Sequence, residues 1–247
     1  MKKLKLNFLI LFFLCSAYSI ALGQSYNIVS LDGQRATINL SYKLYSKMLT
    51  IACYNDTLFL TDYTGTIGVH VLDKNFLEIE YQTVSGFGSD TKNTVILSII
   101  NKKIIPSILV NSYASWFSPD PQDPYKKIDE SSLYKATFNL RGNSKGNYNL
   151  IAIINDQFTS KSAPKRNHKF TRQFNLKFDP VQNVFYTTYK NMSTAFKMYD
   201  IKTDKDISLR LAGNLPTINL GINDYYYQAG FWYRVGTDGY LFTYARK

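Results

Sequence analysis

Between residues 67 and 110 the chain alternates apolar runs with short polar breaks. Four runs rich in β-branched and aromatic residues cover 67–72, 76–84, 94–100 and 104–110. They are separated by Asp73-Lys74-Asn75, by Ser85-Gly86-Phe87-Gly88-Ser89-Asp90 and by Asn101-Lys102-Lys103. Runs of this length, bounded by Gly, Asn and Asp, predict consecutive antiparallel strands. In the second run Glu78 and Glu80 alternate with Leu77, Ile79 and Tyr81, which predicts a strand wet on one face. Val95-Ile96-Leu97 and Ile99-Ile100 do not alternate, which predicts a strand buried on both faces. Such a strand needs further sheet laid over it.

The rest of the chain is punctuated in the same way. Residues 26–31 and 36–40 flank Asp32-Gly33, a hairpin signal, and 51–54 and 58–61 flank the turn Asn55-Asp56-Thr57. Residues 118–124 hold three prolines, Pro119, Pro121 and Pro124, and predict a surface loop or linker over 118–130. That break divides the chain into an N-terminal β-module, 24–117, and a C-terminal β-module, 131–247, which are compatible with one joint domain. Residues 128–136 carry the main helical propensity, one or two turns capped by Asp129 or Ser131. Beyond them, strands are expected at 135–140, 148–154, 170–178, 184–189, 196–201, 207–211, 225–235 and 240–244, with a hairpin turn at Gly236-Thr237-Asp238-Gly239. Residues 93–101 and 147–155 both end Ile-Ile-Asn, consistent with an internal duplication or with the narrow vocabulary of buried strands. The expected fold is all-β, with antiparallel sheets arranged as a sandwich or as two stacked β-modules and little helix.

The first residues change the picture of compartment. Lys2, Lys3 and Lys5 precede an apolar run over 8–14, and Ala21-Leu22-Gly23 offers the small residues that a signal peptidase reads. The apolar run is too short to cross ~30 Å of hydrocarbon. Export with cleavage before Gln24 is expected, giving a periplasmic or secreted protein. A lipid on Cys15 would anchor it to a membrane, but Phe12, Phe13 and Leu14 are bulky where a lipoprotein peptidase takes small residues. After cleavage Cys53 is the remaining cysteine, so no intramolecular disulfide can form, and it reads as a small core residue.

The full chain has 29 Lys+Arg against 18 Asp+Glu; removing residues 1–23 takes away three Lys, leaving 26 against 18, a net charge of +8. That balance favours anionic partners. For an exported chain these are an acidic glycan, an envelope component or an acidic protein, and not nucleic acid.

Candidate chemistry is sparse. His70 and His168 stand far apart, and no zinc spacing, nucleophile elbow or phosphate loop occurs, so no catalytic, metal or cofactor site is assigned. Glu78 and Glu80 share one side of a strand about 7 Å apart, a spacing compatible with acid–base work but commoner on a solvated face. Asp200, Asp204 and Asp206 lack the glycine and distal glutamate of a calcium loop.

Two clusters stand out. Lys161, Lys165, Arg166, Lys169, Arg172 and Lys177 fall in a run without acids, which reads either as a charge-protected edge or as an anion-binding patch. Tyr225, Tyr226, Tyr227, Phe231, Trp232, Tyr233, Tyr240, Phe242 and Tyr244 crowd the C-terminal strands, where alternation places Trp232 with Arg234 on one face. Lys165, Arg166, Lys169, Arg172, Tyr226, Trp232 and Arg234 are therefore the candidate ligand-binding residues.

The leading expectation is a non-enzymatic exported binding protein. A glycan-active hydrolase is the first alternative. The second is a small outer-membrane β-barrel, because residues 237–244 (TDGYLFTY) resemble a terminal barrel strand. Residues 95–100 depart from that pattern, lacking the polar lumen-facing positions a barrel strand requires.

Overall fold

The computed structural model describes residues 23–43, 47–86, 89–120, 123–142, 147–200, 203–221 and 223–246. The expected leader, apart from Gly23, and Cys15 lie outside the described residues.

Among the described residues, eighteen strands form three antiparallel sheets, so the fold is all-β with little helix. The first sheet begins as a meander of β1 (Gln24–Val29), β2 (Arg35–Lys43), β3 (Met48–Cys53) and β4 (Asp56–Leu60). The central sheet has eight strands in chain order. They are β5 (Ile67–Val71), β6 (Leu77–Gly86), β7 (Ser89–Ile100), β8 (Lys103–Asp120), β9 (Asp123–Gly142), β10 (Tyr148–Ser160), β11 (His168–Asp179) and β12 (Val184–Tyr186). The third contains β13 (Thr188–Asp200), β14 (Lys205–Asn219), β15 (Asp224–Gln228), β16 (Phe231–Val235) and β17 (Leu241–Phe242). It rolls on itself, with an isolated bridge between Lys197 and Tyr240 joining its outer strands. The last strand, β18 (Ala245–Arg246), returns to pair with β4 and ties the end of the chain to the first sheet.

Three local expectations are corrected. Within the proline-rich stretch 118–130, residues 118–120 end β8 and residues 123–130 begin β9, so its described residues belong to the central sheet, and Pro121 and Gln122 lie outside the described residues. Pro119 is tolerated because the β8–β9 register shifts there, where a missing N–H breaks no regular ladder. Residues 128–136 lie in β9 instead of a helix: pairing with strands on both sides overrides a weak local propensity. Residues 225–235 are two strands, not one, folded at Ala229-Gly230, both with positive φ (52° and 90°) as a type I′-like turn requires.

β7 is buried from Asn93 through Ile99, side chains of both parities included, as its unbroken apolar run predicts. Cys53 is buried at the end of β3. β8 interlocks the three sheets, since β3, β4 and β16 all approach it. Its pairing with β7 slips twice, leaving Ser107 and Ser112 as extra residues, and Thr83 is the extra residue where β6 slips against β7. All three are small hydroxyl residues and all are buried. Their hydroxyls are bonded locally: Ser107 to Ser98 at 2.8 Å, Thr83 to Thr91 at 3.0 Å, and Ser112 to the Lys92 carbonyl at 3.4 Å. A bulge bends its strand and strengthens its twist.

Next to each bulge of β8 the third sheet takes hold. The Trp232 indole N–H donates to the Pro106 carbonyl at 2.8 Å, and the Asn111 N–H donates to the Tyr225 hydroxyl at 2.9 Å. Burial pushes the Tyr225 hydroxyl up to about 12, against the Asn111 bond that lowers it, so it stays neutral at physiological pH.

Trp232→Phe keeps an aromatic ring, though a smaller one, but leaves a buried carbonyl without its indole donor, and should destabilise the protein by ~1–3 kcal/mol. Trp232→Ala should cost about 3–5 kcal/mol. Urea unfolding curves check both, and equal stability of Trp232→Phe and wild type would contradict the anchor.

Candidate functional site

The structure separates the candidate residues into three places. Lys165 and Arg166 form part of a single turn of 3-10 helix, Pro164–Arg166, joining β10 to β11, and are exposed. Lys169 and Arg172 are exposed on β11 but differ by an odd number of positions and so face opposite sides. Trp232 is 1% exposed and Tyr226 is 7% exposed. Trp232 packs in the main core, and Tyr226 packs with Leu211, Leu215, Tyr233 and Leu241 inside the rolled third sheet. Neither ring offers a face to a ligand. Arg234 is half-buried on the same side of β16 as Trp232.

The exposed aromatic surface lies elsewhere. Directly opposed residues on antiparallel strands share a face, and one cross-strand row runs Trp116, Ser132, Phe158, His168. The adjacent row runs Ala114, Tyr134, Asp156, Phe170, and further along the same face come Ala136, Ile154 and Arg172. Tyr134, Ala136 and Ile154 are core, whereas Trp116 is 40% exposed and His168 is exposed. The face that packs the core at one end therefore emerges as an open shelf at the other. The cause is length: β9 has 20 residues, about 65 Å of strand, while β16, which packs on the neighbouring β8, has five.

On the shelf the rings form a row. Trp116 and Phe158 centroids are 6.2 Å apart, Phe158 and His168 6.0 Å, and His168 and Phe170 5.4 Å. The His168 ring lies within 23° of parallel to both phenylalanines. The Arg166 guanidinium sits 5.0 Å from the Phe158 centroid and that of Arg172 4.2 Å from Phe170, distances suited to cation–π contact. Arg166 also lies 3.7 Å from Glu130, and His168 Nε2 3.5 Å from Asp156. Exposed pairs of this kind contribute little stability, so the Arg166 guanidinium stays available to a ligand. The arrangement offers ring faces for stacking and guanidinium groups for anions.

A cleft of about 510 Å³ opens beside the shelf. The central sheet contributes Thr83, Val84, Thr91, Asn111 and Ala114, and Ala114 belongs to the row next to Trp116. Across from them stand Asn223, Arg234, Phe242 and Tyr244, with Asp62 at the end of the first sheet. The Tyr244 carbonyl accepts the Thr61 N–H at 2.9 Å, which holds this corner together where the chain passes from β17 to β18. The β14–β15 turn lies over β11 close by: a Cβ on Gly221 would sit 3.8 Å from Arg172 Nη1 and 3.9 Å from Phe174 Cζ.

Trp116, Phe158, His168 and Phe170 were not singled out by sequence reasoning. The spacing His168-x-Phe170-x-Arg172 was a usable signal, since alternation alone puts these three on one face. Placing Trp116 and Phe158 beside them requires the register of four strands.

The paired carboxylates take structural roles. Glu80 receives the Lys92 ammonium at 2.9 Å, and Glu78 stands opposite His70. Among the described residues no three His, Cys, Asp or Glu side chains are grouped to hold a metal ion. No protein-family model matches the chain, and no curated protein or solved structure shows significant similarity to it.

Burial raises the Glu78 carboxyl above its usual range; His70 opposes the shift and Glu80 adds to it. A carboxyl with a raised folded pKa loses stability as pH climbs through and above the unfolded value, ~4.3. Glu78→Gln should therefore match wild type near pH 3.5 and become the more stable of the two between pH 5 and pH 7. Thermal melts across that range check it, and a growing disadvantage for Glu78→Gln would contradict this assignment.

Proposed function

We propose that the chain is an exported, non-enzymatic binding protein that holds an acidic glycan of the cell envelope along the shelf. The single observation carrying this reading is the row Trp116, Phe158, His168 and Phe170, exposed at Trp116 and His168 and half-buried at the phenylalanines, with Arg166 and Arg172 set over two of its rings. Sugar rings present apolar C–H faces that stack on aromatic side chains, and guanidinium groups pair with carboxylate or sulfate in a planar fork. The N-terminal leader pattern supports export of such a protein to the periplasm or outside the cell. There, acidic glycans supply rings and negative charge together. An acidic protein partner would use the arginines but leave the ring row without a matching ligand surface.

Retention of the protein on immobilised polygalacturonate and on neutral dextran, at two salt concentrations, tests the reading. Binding should be confined to the acidic polymer and should weaken as salt rises, because exposed charges are screened beyond ~8 Å at physiological ionic strength. Replacing Arg166 and Arg172 with serine, or Trp116 with alanine, should weaken binding about tenfold or more, ~1.4 kcal/mol. Both variants should keep stability within about 0.5 kcal/mol of wild type, as surface changes do. Undiminished binding by both variants would contradict the proposal, and shortening of the polymer would establish a glycan-cleaving enzyme instead. For export, mass spectrometry of the native protein should give a chain starting at Gln24 without lipid, and a lipidated Cys15 would place it on a membrane.

A further inference from the structure

Arg234 occupies an unusual position for a cation. Its strand is pinned to the central sheet through Trp232, and Arg234 points to the same side, into the cleft at the junction of the three sheets. Its guanidinium lies 5.0 Å from the Phe242 ring, and Nη2 approaches the Tyr244 hydroxyl only at 3.4 Å. Its Nε is buried and has no hydrogen-bond partner. The ion pairs among the described residues are Lys92–Glu80, Arg166–Glu130, His168–Asp156 and Lys190–Asp224, and none includes Arg234. Buried donors are nearly always bonded, and an exception in a native fold calls for an explanation.

We propose that the cleft around Arg234 is a subsite for one carboxylate carried on a sugar ring, the acidic unit of the polymer that the shelf holds. This inference rests on the glycan-binding reading and deepens it. Nε is covered, so the contact falls to the Nη1 and Nη2 edge of a guanidinium that lines the cleft and has no carboxylate partner among the described residues, a two-pronged donor that a carboxylate fits. A single positive charge with Asp62 at the rim suits a singly charged anion better than a doubly charged one. Asn111, Asn223 and Thr91 set amide and hydroxyl groups around it for sugar hydroxyls, and Phe242 is 37% exposed beyond its contact with Arg234. Ala114 continues the cleft onto the row beside Trp116, so one chain of sugars can reach both.

Arginine modification of the wild-type protein tests the subsite without depending on the folding of a variant. The protein is treated with phenylglyoxal alone, with galacturonate or with galactose, and each arginine peptide is followed by mass spectrometry. Arg234 should be modified in the free protein and protected by galacturonate but not by galactose. Arg210, which is exposed and bonded to Ser193 on the third sheet, should react alike in all three. In parallel, Arg234→Gln should lose tenfold or more in binding to polygalacturonate while keeping its binding to dextran sulfate through the shelf arginines. An Arg234 that is inert in the free protein, or that reacts equally with and without galacturonate, would overturn the subsite. If wild type still binds polygalacturonate in that case, the shelf reading stands and the subsite alone falls. Wild type that binds neither acidic polymer would remove the reading beneath it.

Discussion

Two bulges in one strand hold this structure together. β8 is paired with β7 from Lys103 to Trp116 and with β9 from Tyr113 onward, yet it carries a proline at position 106 and two extra serines relative to β7. A proline inside a paired strand would ordinarily argue against the strand. Here it sits at the register slip, and the polar groups beside the two slips bind the third sheet: the Pro106 carbonyl takes the Trp232 indole, and the Asn111 N–H reaches Tyr225. These anchors set which face of β16 meets the central sheet, and thereby put Arg234 on the inner side. The final strand closes the arrangement by pairing with β4, which brings Phe242 and Tyr244 to the same corner as Asp62.

From that constraint the shelf follows. The third sheet is clamped to the lower part of β8, where Pro106 and Asn111 lie, while β8 through β11 continue well beyond it. One face of those strands must then pass from core to solvent along its length. Residues on that face keep the large rings typical of a core, but from the Tyr134 row outward they share it with Asp156, Ser132 and His168. An exposed apolar patch rimmed by polar groups is a recognised mark of an interaction surface. The arginines laid across Phe158 and Phe170 give it charge as well as shape. The proposed ligand, an acidic glycan, is the chemistry that would use both properties.

Local signals made the strands legible and left their assembly hidden. Turn residues such as Asp32-Gly33 and the unbroken apolar run over 95–100 predicted hairpins and a doubly covered strand, because both depend on a few adjacent residues. The proline-rich stretch and the helical propensity at 128–136 misled, because long-range pairing outweighs propensities of a few tenths of a kcal/mol per residue. The C-terminal tyrosines and Trp232 looked like a recognition surface, yet five consecutive or near-consecutive rings are also what two short strands need to fill a core on each side. Conversely, Trp116, Phe158 and Phe170 are ordinary aromatics in sequence and become a site only when register brings them into adjacent rows. Register is a property of pairs of distant segments, so no single stretch of sequence records it. The basic run was visible from composition, but alternation splits it, sending Arg172 to the shelf and Lys169 to the opposite face.

The central claim is that the outer end of this face, and not the C-terminal aromatic cluster, meets the ligand. The chain contains two tryptophans, one in each place. Trp116 lies on the shelf at 40% exposure, and Trp232 is buried with its N–H bonded to Pro106. Indole ¹⁵N–¹H resonances of the two residues, assigned by Trp116→Phe, can be followed while an acidic oligosaccharide is added. The Trp116 resonance should move with a saturable, salt-sensitive titration while the Trp232 resonance stays in place. A moving Trp232 beside a stationary Trp116, or two stationary resonances at concentrations where the oligosaccharide binds, would contradict it.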